Sequence, residues 1–232
     1  MIFQISGIRD IANIAEVKQT GAQWLAFDFV KNSPRFMPQI ISRAGFMPDY
    51  SSLHDHGPDA EMSATTSPKA MKIGIFHDEM VQTIVTKVVI FKLDIIQFNG
   101  DESTIMLDNL RRTLVPDLRK DIRFMKTIAI KDASDVAACE PYVGYVDYFR
   151  FDLSPMRSTD ARAEEPDWSV IERYRHDLPF MLAGDIGIGD IPVLRSLKHP
   201  RLMGIDLNES VESEPAVKDP QLVQTIIKAW GR

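Results

Sequence analysis

An eightfold alternation of short apolar runs with amphipathic segments predicts an α/β protein folded as one (β/α)8 barrel, a TIM barrel. Three observations carry that prediction. The apolar runs are nearly continuous, as in strands of a parallel sheet covered on both faces. The segments between them carry apolar residues at helical spacing. Pro179–Ser213 shows the repeating unit most clearly: the runs Phe180–Ala183 and Leu202–Ile205 flank Asp190–Leu197, where Ile191, Val193, Leu194 and Leu197 recur with a helical period. Parallel strands need such a crossover. A doubly wound open sheet is the alternative, but no Gly-rich dinucleotide loop follows the first strand.

Taken in order, Ile2–Ser6 reads as the first strand, and Asp10 as the N-cap of a helix reaching about Thr20. Gly21 ends that helix and Trp24–Phe29 is the second strand. Pro34 and Pro38 make the next stretch a loop, with a short helix expected over Pro38–Ala44. The segment at about 45–70 has neither period and is rich in Pro, Ser, Thr, Asp and Gly, so it is expected to be a surface insertion. Met71–Phe76, Asp94–Phe98, Ile122–Ile130 and Val146–Phe151 follow as strands three to six. Helices are expected over Glu79–Phe91, Asp101–Leu114, Ala133–Glu140 and Asp167–His176, and Pro220–Trp230 closes the chain. The domain reading is a single barrel spanning 1–232.

Net charge is −6 with no Lys/Arg cluster, which argues against nucleic acid as the main partner. No apolar run approaches the ~18 residues of a membrane span. The chain starts directly on a strand-like run, MIFQIS, and Cys139 is its only cysteine, so a cytoplasmic location is expected. His54 and His56 with Asp55 and Asp59 resemble a metal cluster, but no regular structure fixes a second ligand group beside them, and no metal site is expected. His77 and Asp78, at the end of strand three, are further polar candidates. No cofactor is expected. The partner is a small-molecule substrate, and the protein is a monomer or a homodimer.

Gly184, after strand seven, and Asp206–Glu209, after strand eight, sit where a barrel places its last two βα loops, which often hold a phosphate. The motifs LAGDI and GIDLNESVES there resemble those of the phosphoribosylanthranilate isomerase family, an enzyme family of tryptophan synthesis. Further matches follow in order along the chain: Gln4–Ile8, Gly21–Phe29 with Asn32–Arg35, Ile73–Phe76, and Asp94–Glu102. The resemblance implies an Amadori rearrangement, in which an acid opens the ribose ring and a base removes the C2′ proton. It implies Asp152 as the acid, provided burial raises its pKa. It places Ser6 where the family has a cysteine base, and Arg35 on the anthranilate carboxylate. Asp28, Gln97, Asn99, Gly184, Asp185, Asp206, Asn208, Glu209 and Ser210 complete the implied substrate site.

The sequence departs from the family pattern at the chemistry. A serine hydroxyl titrates far above a thiol and needs an activating base, and none stands beside Ser6 in the sequence. Asp185 replaces the second glycine of a G-G turn, and Asn208–Glu209–Ser210 replaces S-S-G. These changes set acidic residues where a phosphate dianion is held, or place them as helix caps facing solvent. Asp28, Asp152, Asp185 and Glu209 are expected at one acidic mouth. Three functions are therefore open: an isomerase with an altered base, a divergent barrel enzyme for a non-phosphorylated or cationic ligand, and a non-catalytic binding protein.

Overall fold

In the computed structural model the described residues are 1–38, 70–156 and 166–231. The expected helix over Pro38–Ala44, the 45–70 insertion and the histidine pair at 54 and 56 lie outside them, apart from the edge residues Pro38 and Ala70. Eight parallel strands close into a barrel in sequence order: β1 (Ile2–Ser6), β2 (Trp24–Asp28), β3 (Met71–Phe76), β4 (Ile95–Phe98), β5 (Arg123–Ala129), β6 (Tyr148–Asp152), β7 (Phe180–Ala183) and β8 (Leu202–Leu207). The seam is shut by β1 against β8, with Ile2 opposite Gly204 and Ile5 opposite Leu207.

The alternation of side chains splits the core in two. Inward residues of successive strands, including Trp24, Ala26, Ile73, Ile75, Ile95, Met125 and Met181, fill the barrel's lumen. Outward residues such as Ile5, Leu25, Phe27, Phe98, Phe124, Phe149 and Ile205 pack beneath the helices. Helix α1 (Ile11–Lys18) starts at Asp10, whose carboxylate accepts a hydrogen bond from Asn13 N at 2.9 Å. Helix α2 (Val81–Phe91) ends at Lys92 in the left-handed conformation. Helix α3 (Thr104–Leu114) is capped by Ser103 and buries Leu107, Leu110 and Leu114. Truncating one of those leucines to alanine costs about 2–5 kcal/mol.

Two expected helices are tightened into 3-10 turns. Asp135–Tyr142 contains Pro141, which has no N–H to continue an α-helical ladder. Trp168–Arg173 stops early because Tyr174 turns inward among Phe151 and Phe180, at ring centroid distances of 5.3 and 5.2 Å. Between β7 and β8 a 3-10 turn, Ile188–Asp190, leads into helix α4 (Ile191–Ser196). Several short elements were not foreseen: 3-10 turns at Ser154–Met156 and Glu209–Val211, and after the latter a small antiparallel hairpin, β9 (Glu212–Glu214) and β10 (Val217–Lys218), before helix α5 (Pro220–Gly231). Asn13 of α1 holds β10 like a neighbouring strand. Its Nδ2 donates to Lys218 O at 2.7 Å, and its Oδ1 accepts from Lys218 N at 2.8 Å. Among the described residues no helix is long and apolar enough to cross a membrane.

Candidate active site

Because all eight strands are parallel, their C-terminal ends open on one side, and above the apolar lumen sits a polar layer. Gln4, Gln97, Arg150 and Asp206 form it, all buried, at positions where each strand turns a side chain inward. One residue-pair further up each strand stand Ser6, Asn99 and Asp152. Burying these groups is tolerable because most of their polar atoms satisfy one another; Gln4 Oε1 alone in this layer has no hydrogen-bond partner among the described residues.

The hydrogen bonds run around the mouth in two arms. Gln4 Nε2 donates to Ser6 Oγ and to Gln97 Oε1, both at 2.9 Å. Gln97 Nε2 donates to Asn99 Oδ1 at 3.0 Å, and Thr127 Oγ1 donates to the same oxygen at 2.6 Å. On the other arm, Ser6 Oγ donates to Asp206 Oδ1 at 2.6 Å. Arg150 Nε binds Asp206 Oδ2 at 2.7 Å, and its Nη1 binds Asp152 Oδ2 at 2.9 Å. Ser154 caps Asp152 through its backbone N at 2.9 Å and its hydroxyl at 2.5 Å. Ser6 thus has a carboxylate partner after all, delivered from a strand two hundred residues away in the chain.

The two carboxyls are tuned in opposite directions. Burial lifts Asp206 above the ordinary aspartate value, against the pull of Arg150 and the Ser6 hydroxyl. Burial also pushes Asp152 up, but the Arg150 charge and the Ser154 hydrogen bonds outweigh it and leave Asp152 below the ordinary value. The expectation that burial raises Asp152 is therefore corrected: burial does push it up, but the adjoining guanidinium and the Ser154 hydrogen bonds together outweigh that push. Arg150 itself is raised, since two carboxylates hold its charge.

A second cluster holds Arg35, from the loop after β2. Its Nε and Nη2 bind both oxygens of Glu212 at 2.8 and 2.6 Å, and its Nη1 lies 3.2 Å from the exposed Glu209 carboxylate. Hydrogen bonding to Glu212 and the nearby Glu209 and Asp28 charges raise Arg35. The guanidinium arm passes over Gly7, where a Cβ would stand 2.4 Å from Arg35 Cδ and 3.0 Å from Asn208 Oδ1. Beneath it Lys218 Nζ reaches Glu212 Oε1 at 2.6 Å and Asn208 Oδ1 at 2.9 Å. Asp28 closes the β2 turn by accepting from Val30 N at 2.9 Å.

At the last two loops, Gly184 approaches the backbone of the loop after β6, 3.0 Å from Leu153 C and Ser154 N for a hypothetical Cβ, with φ of 137°. Asp185 is exposed and left-handed, with φ of 52°. Ser210 Oγ donates to Ile186 O at 2.5 Å, tying the loop after β8 to the one after β7. The structure thus joins Ser6, Gln97, Asn99, Asp152 and Asp206 in one network and Arg35, Asn208 and Glu209 in another, while Ser210 links the last two loops and Asp28 and Asp185 stand at their own turns. Gln4, Thr127, Arg150, Ser154, Glu212 and Lys218 were not foreseen as site residues. The i, i+2 spacing of Arg150 and Asp152 within one strand was the signal for Arg150. Among the described residues no group of three or more His, Cys, Asp or Glu is arranged to hold a metal ion.

A closed parallel barrel whose C-terminal mouth carries a linked pair of carboxyls and a clamped arginine has the makings of an acid–base site on a TIM-barrel scaffold. The family model for N-(5′-phosphoribosyl)anthranilate isomerase matches residues 43–229, and the chain belongs to that family. Similar proteins are the N-(5′-phosphoribosyl)anthranilate isomerases of Parabacteroides distasonis, 29% identical over 98% of this chain and 92% of that one, and of Phocaeicola vulgatus, 28% identical over 98% and 96%. In fold it resembles a phosphoribosyl anthranilate isomerase solved in complex with reduced 1-(o-carboxyphenylamino)-1-deoxyribulose 5-phosphate. That structure is 19% identical, covers 100% of this chain and 99% of its own, and gives a TM-score of 0.69.

Proposed function

We propose that this chain isomerises N-(5′-phosphoribosyl)anthranilate, an amino-aldose, to the corresponding amino-ketose. The observation that carries the reading is the placement of Ser6 and Asp152 at the inward ends of β1 and β6, joined through Asp206 and Arg150. An Amadori rearrangement needs a proton donor at the ring oxygen and an acceptor at C2′, on one sugar and at the same time.

Asp152 is the donor. Of the two carboxyls that Arg150 bridges, it is the more accessible, with 23% of its side chain exposed against none of Asp206. A substrate covering the mouth strips water from it and lifts its pKa toward that of a usable acid. Arg35 is the cation for the anthranilate carboxylate. Glu212 holds its Nε–Nη2 edge, so the substrate carboxylate takes the Nη1 side by displacing Glu209, whose side chain is 62% exposed. Gln97 and Asn99 line the opposite side of the mouth and orient sugar hydroxyls. The loops after β7 and β8 take the phosphate.

Incubation with freshly made phosphoribosylanthranilate, followed by chromatographic detection of the ketose, tests the reading. Turnover is expected, together with growth without tryptophan of an auxotroph lacking its isomerase. Absence of both at high expression refutes it. Asp152→Asn is expected to lower kcat about 100-fold or more, the usual contribution of a general acid.

A further inference from the structure

The geometry points to Asp206 as the base of this isomerisation, acting through the Ser6 hydroxyl, with Arg150 coupling it to Asp152. The inference rests on the isomerase reading and supplies the group that a lone serine lacks. Ser6 Oγ has its hydrogen committed to Asp206 at 2.6 Å, and one of its acceptor sites is filled by Gln4 Nε2 at 2.9 Å. Its second acceptor site remains for a proton from the substrate. A hydroxyl so placed passes a proton on as it receives one. Asp206 does not reach solvent, and its other oxygen is fixed by Arg150 at 2.7 Å. Burial makes it a stronger proton acceptor than an ordinary aspartate.

The steps balance. Asp152 gives its proton to the ring oxygen, the C1′–O bond breaks, and the nitrogen lone pair forms the C1′=N iminium. The C2′ proton then moves to Ser6 Oγ as the Ser6 proton moves to Asp206 Oδ1. The C2′–H electron pair becomes the C1′=C2′ bond, and the C=N pair returns to nitrogen. At the iminium both carboxyls are charged and Arg150 bridges the two; once the C2′ proton has moved, Asp206 is neutral and Arg150 again faces one carboxylate, Asp152. Ketonisation resets the pair: the enol hydroxyl proton goes to Asp152, and C1′ takes a proton from Ser6 as Ser6 recovers one from Asp206.

A double-variant comparison tests the relay. Asp206→Asn in the wild-type background is expected to lower kcat at least 100-fold with KM changed less than threefold. The primary deuterium isotope effect at C2′ should rise as proton removal becomes limiting. In a Ser6→Cys background the thiol ionises by itself, so the same substitution is expected to cost less than tenfold, and the acidic limb of the kcat/KM profile should follow the thiol. A merely structural Asp206 loses the same factor in both backgrounds, and that result overturns the relay while leaving the isomerase standing. No turnover by the wild-type protein overturns both. If the asparagine variant does not fold, Ser6→Ala carries the test: a loss of at least 100-fold in kcat supports the relay, and a loss below tenfold overturns it.

Discussion

Glu212→Gln removes one charge from the cluster that fixes Arg35, and its cost follows from the contacts. Glu212 Oε1 accepts from Arg35 Nε at 2.8 Å, Lys218 Nζ at 2.6 Å and Ala216 N at 3.1 Å, and Oε2 accepts from Arg35 Nη2 at 2.6 Å. A glutamine must turn its NH2 toward one of these donors. The Lys218 ammonium is wholly buried, and burial holds it below the ordinary lysine value even beside Glu212. Stripping one partner from a buried pair costs about 3–5 kcal/mol. Lys218 keeps Asn208 O and Oδ1 at 3.1 and 2.9 Å, so the lower end applies, about 3 kcal/mol. For a chain of this size that lowers Tm by roughly 6–12 °C. Calorimetric melting at neutral pH measures it, and adding Lys218→Met, which removes the stranded charge, should recover at least half of the loss. A fall below about 2 °C, or additive losses in the double variant, would show that water already solvates the cluster.

Four further outcomes are expected. Asn13→Leu strands the N–H and C=O of Lys218 and should cost about 2–4 kcal/mol, with faster amide exchange at Lys218; unchanged exchange refutes it. Gly184→Ala crowds the Leu153–Ser154 peptide at φ of 137° and should destabilise by about 1–3 kcal/mol while lowering kcat through Ser154 and Asp152; a neutral variant would show that the turn yields. Asp185→Gly with Glu209→Ser should tighten inorganic phosphate binding at least tenfold by calorimetry, since two carboxylates leave the last two loops; equal affinities would mean that these charges do not reach the anion. Glu212 titrates below its ordinary 4.5 because Arg35 and Lys218 outweigh its burial. Its contribution is therefore full above that value and lost as pH falls through the lower folded one, so the gap in Tm between wild type and Glu212→Gln should narrow on acidification.

The barrel was legible because strand burial leaves a direct mark: Ile2–Ser6, Met71–Phe76 and Phe180–Ala183 fall where their apolar runs lie. The Asp10 cap was legible for the same local reason. The β9–β10 hairpin was not, since ESEPAVK has no apolar run and is held by a side chain from α1. Among the site residues, Asp152 and Arg35 announced themselves through motif position. The partner of Ser6 could not, because proximity to Asp206 is created by closure of the barrel and leaves no trace in local spacing. Arg150, embedded in the apolar run YFRFD, carries only its i, i+2 spacing to Asp152 as a signal; its second carboxylate partner, Asp206, comes from β8.

The β1–β8 seam gives synthesis of the chain a particular timing. β1 is synthesised before β8 and waits for that neighbour until β8 has emerged, with Ile2–Ser6 offering one bare backbone edge in the interval. No fragment ending before Leu202 contains a closed barrel, and none contains the carboxylate that Ser6 addresses. Closure of the wall and assembly of the Ser6–Asp206 pair therefore depend on the same strand, and a chain cut before β8 has neither.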